Sequence, residues 1–180
     1  MGEGKGKLER LWAPWRMAWI RESNGGADGC FICEHLAADP AKDRENLLLH
    51  RGEHAVILMN RYPYSNGHVM IAPLRHLSDP RHLSPEEWAE IGLLTAVIVE
   101  AMERTMKPHG FNIGWNIGRV AGAGLDSHIH QHVVPRWDGD TNFMPTIGET
   151  KVLSQALQES YEELKAALEA IRNKPDDASG

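Results

Sequence analysis

The chain has 180 residues, 42% apolar and 24% charged, with a formal net charge of −6. That length suits one domain with terminal extensions, and the acidic balance argues against a nucleic-acid partner, which would call for a basic face. No apolar run reaches the roughly 18 residues of a membrane span, and the opening MGEGKGKLERLW lacks a secretion signal's apolar core, so a cytoplasmic protein without membrane contact is expected.

Residues 1–29 read as an arm and linker. Trp12, Trp15 and Trp19 fall at helical spacing interrupted by Pro14, and SNGGADG follows as a flexible link. Such an arm packs on its own body or on a partner chain. The only cysteines, Cys30 and Cys33, point in a cytoplasmic protein to metal or redox chemistry rather than a disulfide framework. HAVILMN (54–60) and HVMIAPLR (68–75) read as two strands of a hairpin around the turn residues of NRYPYSNGH. SPEEW opens a helix, with Ser84 as N-cap, Pro85 at the first helical position and Glu87 closing a capping box. Trp88, Ile91, Leu94, Ile98 and Met102 predict one buried stripe along it, and Pro108 and Gly110 end it. FNIGWNIG (111–118) and SHIHQHVVP (127–135) read as two further strands around a Gly-rich loop. Leu153, Leu157, Tyr161, Leu164, Leu168 and Ile171 mark a second amphipathic helix. Strand pairs with short turns alternating with helices predict an α+β domain, an antiparallel sheet with helices packed on it.

HIHQHVVPRW carries His128, His130 and His132 at alternate positions. On a strand these share one face, with neighbours roughly 7 Å apart. Three imidazoles so spread converge poorly on one ion and suit an extended ligand better. Imidazole titrates near pH 6.5, so much of it is neutral at pH 7 and able to act as a nucleophile. Attack on phosphorus needs donors around the phosphate oxygens and help at the leaving group. NIGRVAGAGLDS runs directly into the row, and Gly118, Gly122 and Gly124 allow backbone N–H groups to close on an anion. Arg119 and Arg136 are available for a second phosphate, although each reads more often as a solvated surface charge.

These residues resemble the histidine triad family. HIHQHVV matches its His-x-His-x-His-x-x pattern, departing only at the polar Gln131. CFICEHL, AVILMNRYPYSNGHVMIAPLRH, PHGFNIGWNIG and HVVPRWDGDTNF look like family segments in the family's order. The resemblance covers residues 30 to about 145, leaving 146–180 as a C-terminal helix and tail. LWAPWRMAWI and PRWDGDTNFMP are similar to the bacterial branch that includes diadenosine tetraphosphate phosphorylases. It implies an antiparallel sheet of about five strands with two main helices, and a homodimer. The implied activity is nucleotidyl transfer or hydrolysis at the α-phosphate of AMP-linked purine nucleotides, dinucleoside polyphosphates or nucleoside phosphoramidates. By that likeness His130 takes AMP covalently, His132 contacts the phosphate and helps the leaving group, and His128 supports the site. Asn60 matches the position that binds ribose hydroxyls and His68 a further histidine near the site. Asn116, with Gly122, Ala123, Gly124 and Leu125, matches the phosphate-binding loop. In the family's zinc-bearing branch two cysteines, a histidine after the second strand and the first triad histidine hold a structural metal. Here these are Cys30, Cys33, His76 and His128, with His35 the nearest competitor, and the chemistry itself requires no metal.

Two other readings stay open. A metal-dependent hydrolase would use the row as ligands, with Asp126 or Asp138 beside it. A nucleotide-binding adaptor would keep the pocket without the rate. Within the enzyme reading, the acceptor is water or phosphate.

Overall fold

A computed structural model describes residues 29–140 and 156–173 of the chain. The Trp12–Trp15–Trp19 arm, the link at 23–28, Leu153, the end of the segment that runs past Trp137 and the tail lie outside the described residues.

Five strands form one antiparallel sheet: β1 (Leu48–Arg51), β2 (Ala55–Met59), β3 (Val69–Pro73), β4 (Gly110–Trp115) and β5 (Gln131–Arg136). Their order is β1-β2-β3-β5-β4, so β5 inserts between β3 and β4. Among the described residues three α-helices accompany them: α1 (Phe31–Ala37), α2 (Pro85–Thr105) and α3 (Leu157–Arg172). This is the α+β architecture expected. No sequence pattern marks β1 or α1. β1 has four residues, is entered through Leu47 at a φ of 60°, and slips register between Leu48 and His50, so no clean alternation marks it.

β2 and β3 alternate cleanly between two cores. Ala55, Ile57, Met59, Val69, Ile71 and Val133 face α2 and α3, where Ile91, Leu94, Ile98, Met102, Tyr161, Leu164 and Leu168 meet them. Leu48, Val56, Leu58, Met70 and Ala72 face the other way, where Ile32 of α1 completes a smaller core. Both faces are covered, so β2 and β3 are buried at every position.

The capping box forms at the start of α2. The Ser84 side chain accepts from Glu87 N–H, and the Glu87 carboxylate accepts from Ser84 N–H at 2.7 Å. Glu87 is buried and also binds Arg75 in a two-pronged ion pair of 2.6 and 2.7 Å, clamping the segment after β3 to the helix. Trp88 departs from the expected buried stripe. It is 45% exposed and lies edge-on to Trp115 of β4 at 5.7 Å, while Glu87 takes the inward position because its carboxylate has partners there. At the far end of the sheet α3 covers β1: Tyr161 Oη–H donates to Leu48 O at 3.1 Å and Lys165 Nζ to Leu49 O at 2.9 Å. Among the described residues no helix is long and apolar enough to cross a membrane.

Candidate active site

The strand containing the triad begins at Gln131, later than expected. His132 lies on β5, while His128, at a bend, and His130 sit in the segment leading into it. All three are buried. The segment is stitched in place by Ile129 N–H donating to Leu77 O at 2.7 Å. Gln131, the polar exception, turns toward the helices, where the Thr95 hydroxyl bridges its side-chain amide (2.7 Å) and Ile91 O (2.6 Å). The polar residue in the apolar slot therefore has its partner on α2.

Fixed donors and acceptors on the backbone assign the protons of the imidazoles. A carbonyl only accepts. His130 Nδ1 lies 2.9 Å from His128 O, so Nδ1 holds the hydrogen and Nε2 keeps a lone pair. Burial pushes the His130 imidazolium down from its ordinary range, favouring this neutral form. His128 Nε2 lies 2.9 Å from Pro73 O, so there Nε2 holds the hydrogen and Nδ1 is bare. A backbone N–H only donates. Tyr64 N–H reaches His68 Nδ1 at 3.1 Å, so His68 carries its hydrogen on Nε2, which meets His132 Nδ1 at 3.0 Å. His132 must then hold its own hydrogen on Nε2. The Asn116 side-chain nitrogen stands 3.2 Å from that atom, and two donors cannot satisfy each other, so the Asn116 amide turns its oxygen there. The His130 and His132 rings are perpendicular with centroids 4.9 Å apart. A bare nitrogen on one imidazole thus sits beside an N–H on the next.

Asn60 directly follows β2. Its N–H donates to His68 O at 2.9 Å, and its side-chain oxygen accepts from Tyr62 N–H at 2.9 Å. Gly67, just before His68, has a φ of 72°, and a Cβ there would meet Met106 Sδ at 2.5 Å, so this turn requires glycine. The loop after β4 holds Gly122 at a φ of 89°, and Leu125 packs on the small core beside Cys30 and Phe31. His68, Asn116, His130 and His132 are joined by direct contacts. Gly122, Ala123 and Gly124 lie in the loop leading to the triad.

His128 turns to a different task. Its Nδ1 lies 3.2 Å from Cys30 Sγ and 3.5 Å from Cys33 Sγ, and His76 Nδ1 lies 3.2 Å from Cys33 Sγ. All four ligand atoms fall within 4.8 Å of one another. Tetrahedral zinc with Zn–S near 2.3 Å and Zn–N near 2.1 Å sets neighbouring ligand atoms about 3.6 Å apart, so the donor set and spacing fit such an ion. The bare Nδ1 of His128 is the ligand form, with its ring oriented by the Pro73 carbonyl. Burial and the neighbouring Cys30 push the Cys33 thiol up to about 11, a shift that a bound cation reverses. His35 takes no part in this group; it lies edge-on to Phe31 at 5.7 Å. Sequence spacing alone could not select His76, which is 43 residues from Cys33.

The remaining candidates are engaged elsewhere. Arg136 binds Asp140 and, at 2.6 Å, Asn112 Oδ1. Arg119 pairs loosely with Asp126 at 3.7 Å, and Asp138 with His109 at 3.2 Å. The carboxylates that a metal-dependent hydrolase would place beside the row have these partners instead. Among the described residues the Cys30–Cys33–His76–His128 set is the only such cluster.

The HIT domain model matches residues 42–139. The chain is 37% identical over 163 residues to the AP-4-A phosphorylase of Mycobacterium tuberculosis, covering 86% of this chain and 81% of that one. It therefore belongs to the HIT domain family. Two solved structures share the fold. One is a hypothetical histidine triad nucleotide-binding protein of Sulfolobus tokodaii, with a TM-score of 0.64 and 22% identity, covering 84% of this chain and 99% of that one. The other is a zinc-bound histidine triad family protein of Mycobacterium smegmatis, with a TM-score of 0.58 and 23% identity, covering 87% and 97%.

Proposed function

We propose that this protein transfers AMP from diadenosine tetraphosphate to phosphate through a covalent intermediate on His130. The carrying observation is the His130 Nδ1–H bond to His128 O, which leaves the Nε2 lone pair for attack. Nε2 attacks the α-phosphorus, forming a P–N bond as the bond to the bridging oxygen breaks. His132 Nε2–H exchanges its Asn116 partner for that oxygen and stabilises its growing charge, so ATP departs as an anion without a full proton transfer. Phosphate then attacks the same phosphorus, the P–N bond breaks, and ADP leaves with the His130 lone pair restored. Asn60 holds the ribose, and the 122–125 loop holds the phosphate. The similarity to an AP-4-A phosphorylase supports this substrate and acceptor. Product analysis with diadenosine tetraphosphate tests it. ADP plus ATP in the presence of phosphate is expected; AMP plus ATP regardless of phosphate would make the protein a hydrolase, and no cleavage would reject the reading.

Cys30, Cys33, His76 and His128 would hold a structural zinc, which supplies a fold constraint and no step of the reaction. The reduced pair suits a cytoplasmic protein. We further propose a homodimer joined through β4. That strand is at the sheet edge, with Ile113 and Ile117 about half exposed, Val120 fully exposed, and Leu93 and Trp88 of α2 also exposed. Light scattering should give twice the 20.1 kDa chain mass, with Ile113→Asp reverting to a single chain; a wild-type monomer overturns it.

A further inference from the structure

We propose that Tyr64 is a positioning residue for the reaction, acting through His68 on His132. This rests on the functional reading above for its catalytic consequence but not for its structural content. The ring of Tyr64 stacks on His68 with centroids 4.7 Å apart and planes 27° apart, and it also lies 5.7 Å from the His132 ring. Its own N–H sets the His68 proton on Nε2. One residue thus contributes twice: its backbone chooses the tautomer, and its aromatic face covers the pair of rings that transmits the choice.

The choice matters because imidazole tautomers are nearly equal in energy, and two linked rings have two consistent arrangements. In one, each Nε2 carries the hydrogen and His132 presents an N–H toward the reacting centre. In the other, each hydrogen has moved to Nδ1, so His132 turns a lone pair there. That lone pair would repel the bridging oxygen instead of stabilising it. The second arrangement also sets His68 Nδ1–H against Tyr64 N–H, donor facing donor, at a buried position where an unmade bond is costly. The Tyr64 N–H therefore favours the first arrangement, and it does so only while residues 64 and 68 stay in register. The stacked ring fixes this register. It also keeps water from inserting at the 3.0 Å His68–His132 contact, where a water molecule, able to donate and accept, would relay either arrangement.

Pro63 fixes its own φ just before Tyr64 and Gly67 supplies the positive φ just before His68, neither depending on the Tyr64 ring, so the turn survives loss of the ring better than the ring-to-ring register does. The proposal is thus about the side chain: any flat aromatic should serve, and the phenol oxygen should not matter to it.

The test compares Tyr64→Phe, Tyr64→Leu and Tyr64→Ala with the wild type. Nitrogen-15 spectra of the histidine rings report which nitrogen of His68 and His132 is protonated, independently of any substrate. Wild type and Tyr64→Phe should show both rings protonated on Nε2; Tyr64→Leu and Tyr64→Ala should show mixed tautomers, with backbone spectra showing the fold intact. In the enzyme assay the Leu and Ala variants should lose about 10- to 100-fold in kcat with KM changed less than about threefold, and the Phe variant should match the wild type. Unchanged ring tautomers in both the Leu and Ala variants overturn the proposal, as does a Phe variant as impaired as Ala. If the wild type fails to cleave diadenosine tetraphosphate, the functional reading falls while the tautomer spectra still decide the role of Tyr64. Should the Ala variant not fold, Tyr64→Leu, which retains bulk without a flat face, decides alone.

Discussion

His130→Ala is expected to lower turnover of diadenosine tetraphosphate by about four orders of magnitude or more, because removing a covalent nucleophile leaves only binding and transition-state donors. The effect on folding should be far smaller. The imidazole makes one structural bond, to His128 O, and such a bond contributes about 1 kcal/mol net, a few degrees in Tm for a chain of this length. Rapid quenching at alkaline pH, where a phosphoramidate survives, should reveal one AMP per wild-type chain and none on the variant. Residual turnover within tenfold of wild type, or an adduct mapped to His132, would contradict the assignment. His132→Ala should separate the roles, still accepting AMP from a substrate whose leaving group needs no assistance but slowly from one with a poor leaving group.

Removal of the metal has the second-largest expected consequence. Freshly purified protein should contain one zinc per chain, and His128→Ala should contain almost none. The loss should lower Tm by about 10 °C, since a Cys2His2 site contributes several kcal/mol and each is worth about 2–4 °C here. It should also reduce activity, because the His128 carbonyl that orients His130 belongs to the residue whose ring is freed. His76→Ala provides the comparison: the same metal loss from a ligand remote in sequence from the triad, with a smaller fall in activity. Metal-free wild-type protein with an unchanged Tm would dispose of the site.

Much of the fold was legible because several local signals agreed. Ser84, Pro85 and Glu87 begin α2 as their chemistry dictates, and the apolar stretches at 55–59 and 69–73 form the two central strands. What escaped was short or non-local. α1 has seven residues and one fully buried side chain, Ile32, so no stripe marks it. Trp88 follows the helical period of the buried stripe yet lies outside, because the inward place beside it goes to a carboxylate paired with Arg75. In the site, alternation identified the three histidines but not their division of labour. That division depends on what each ring meets: thiols for His128, a carbonyl two residues back for His130, and a distant histidine for His132. Two of these three partners are 64 to 98 residues away in the chain, beyond the reach of any local pattern.

The Tyr161 and Lys165 contacts to β1 have a bearing on how many copies can associate. Strand-to-strand association needs a free row of amides and carbonyls, and α3 already occupies the carbonyls of Leu48 and Leu49 at that margin. Among the described residues the opposite margin, β4, is the one left open to a second sheet, and pairing there would use it up. Joining through it would therefore terminate at a closed pair, with no further open sheet edge among the described residues.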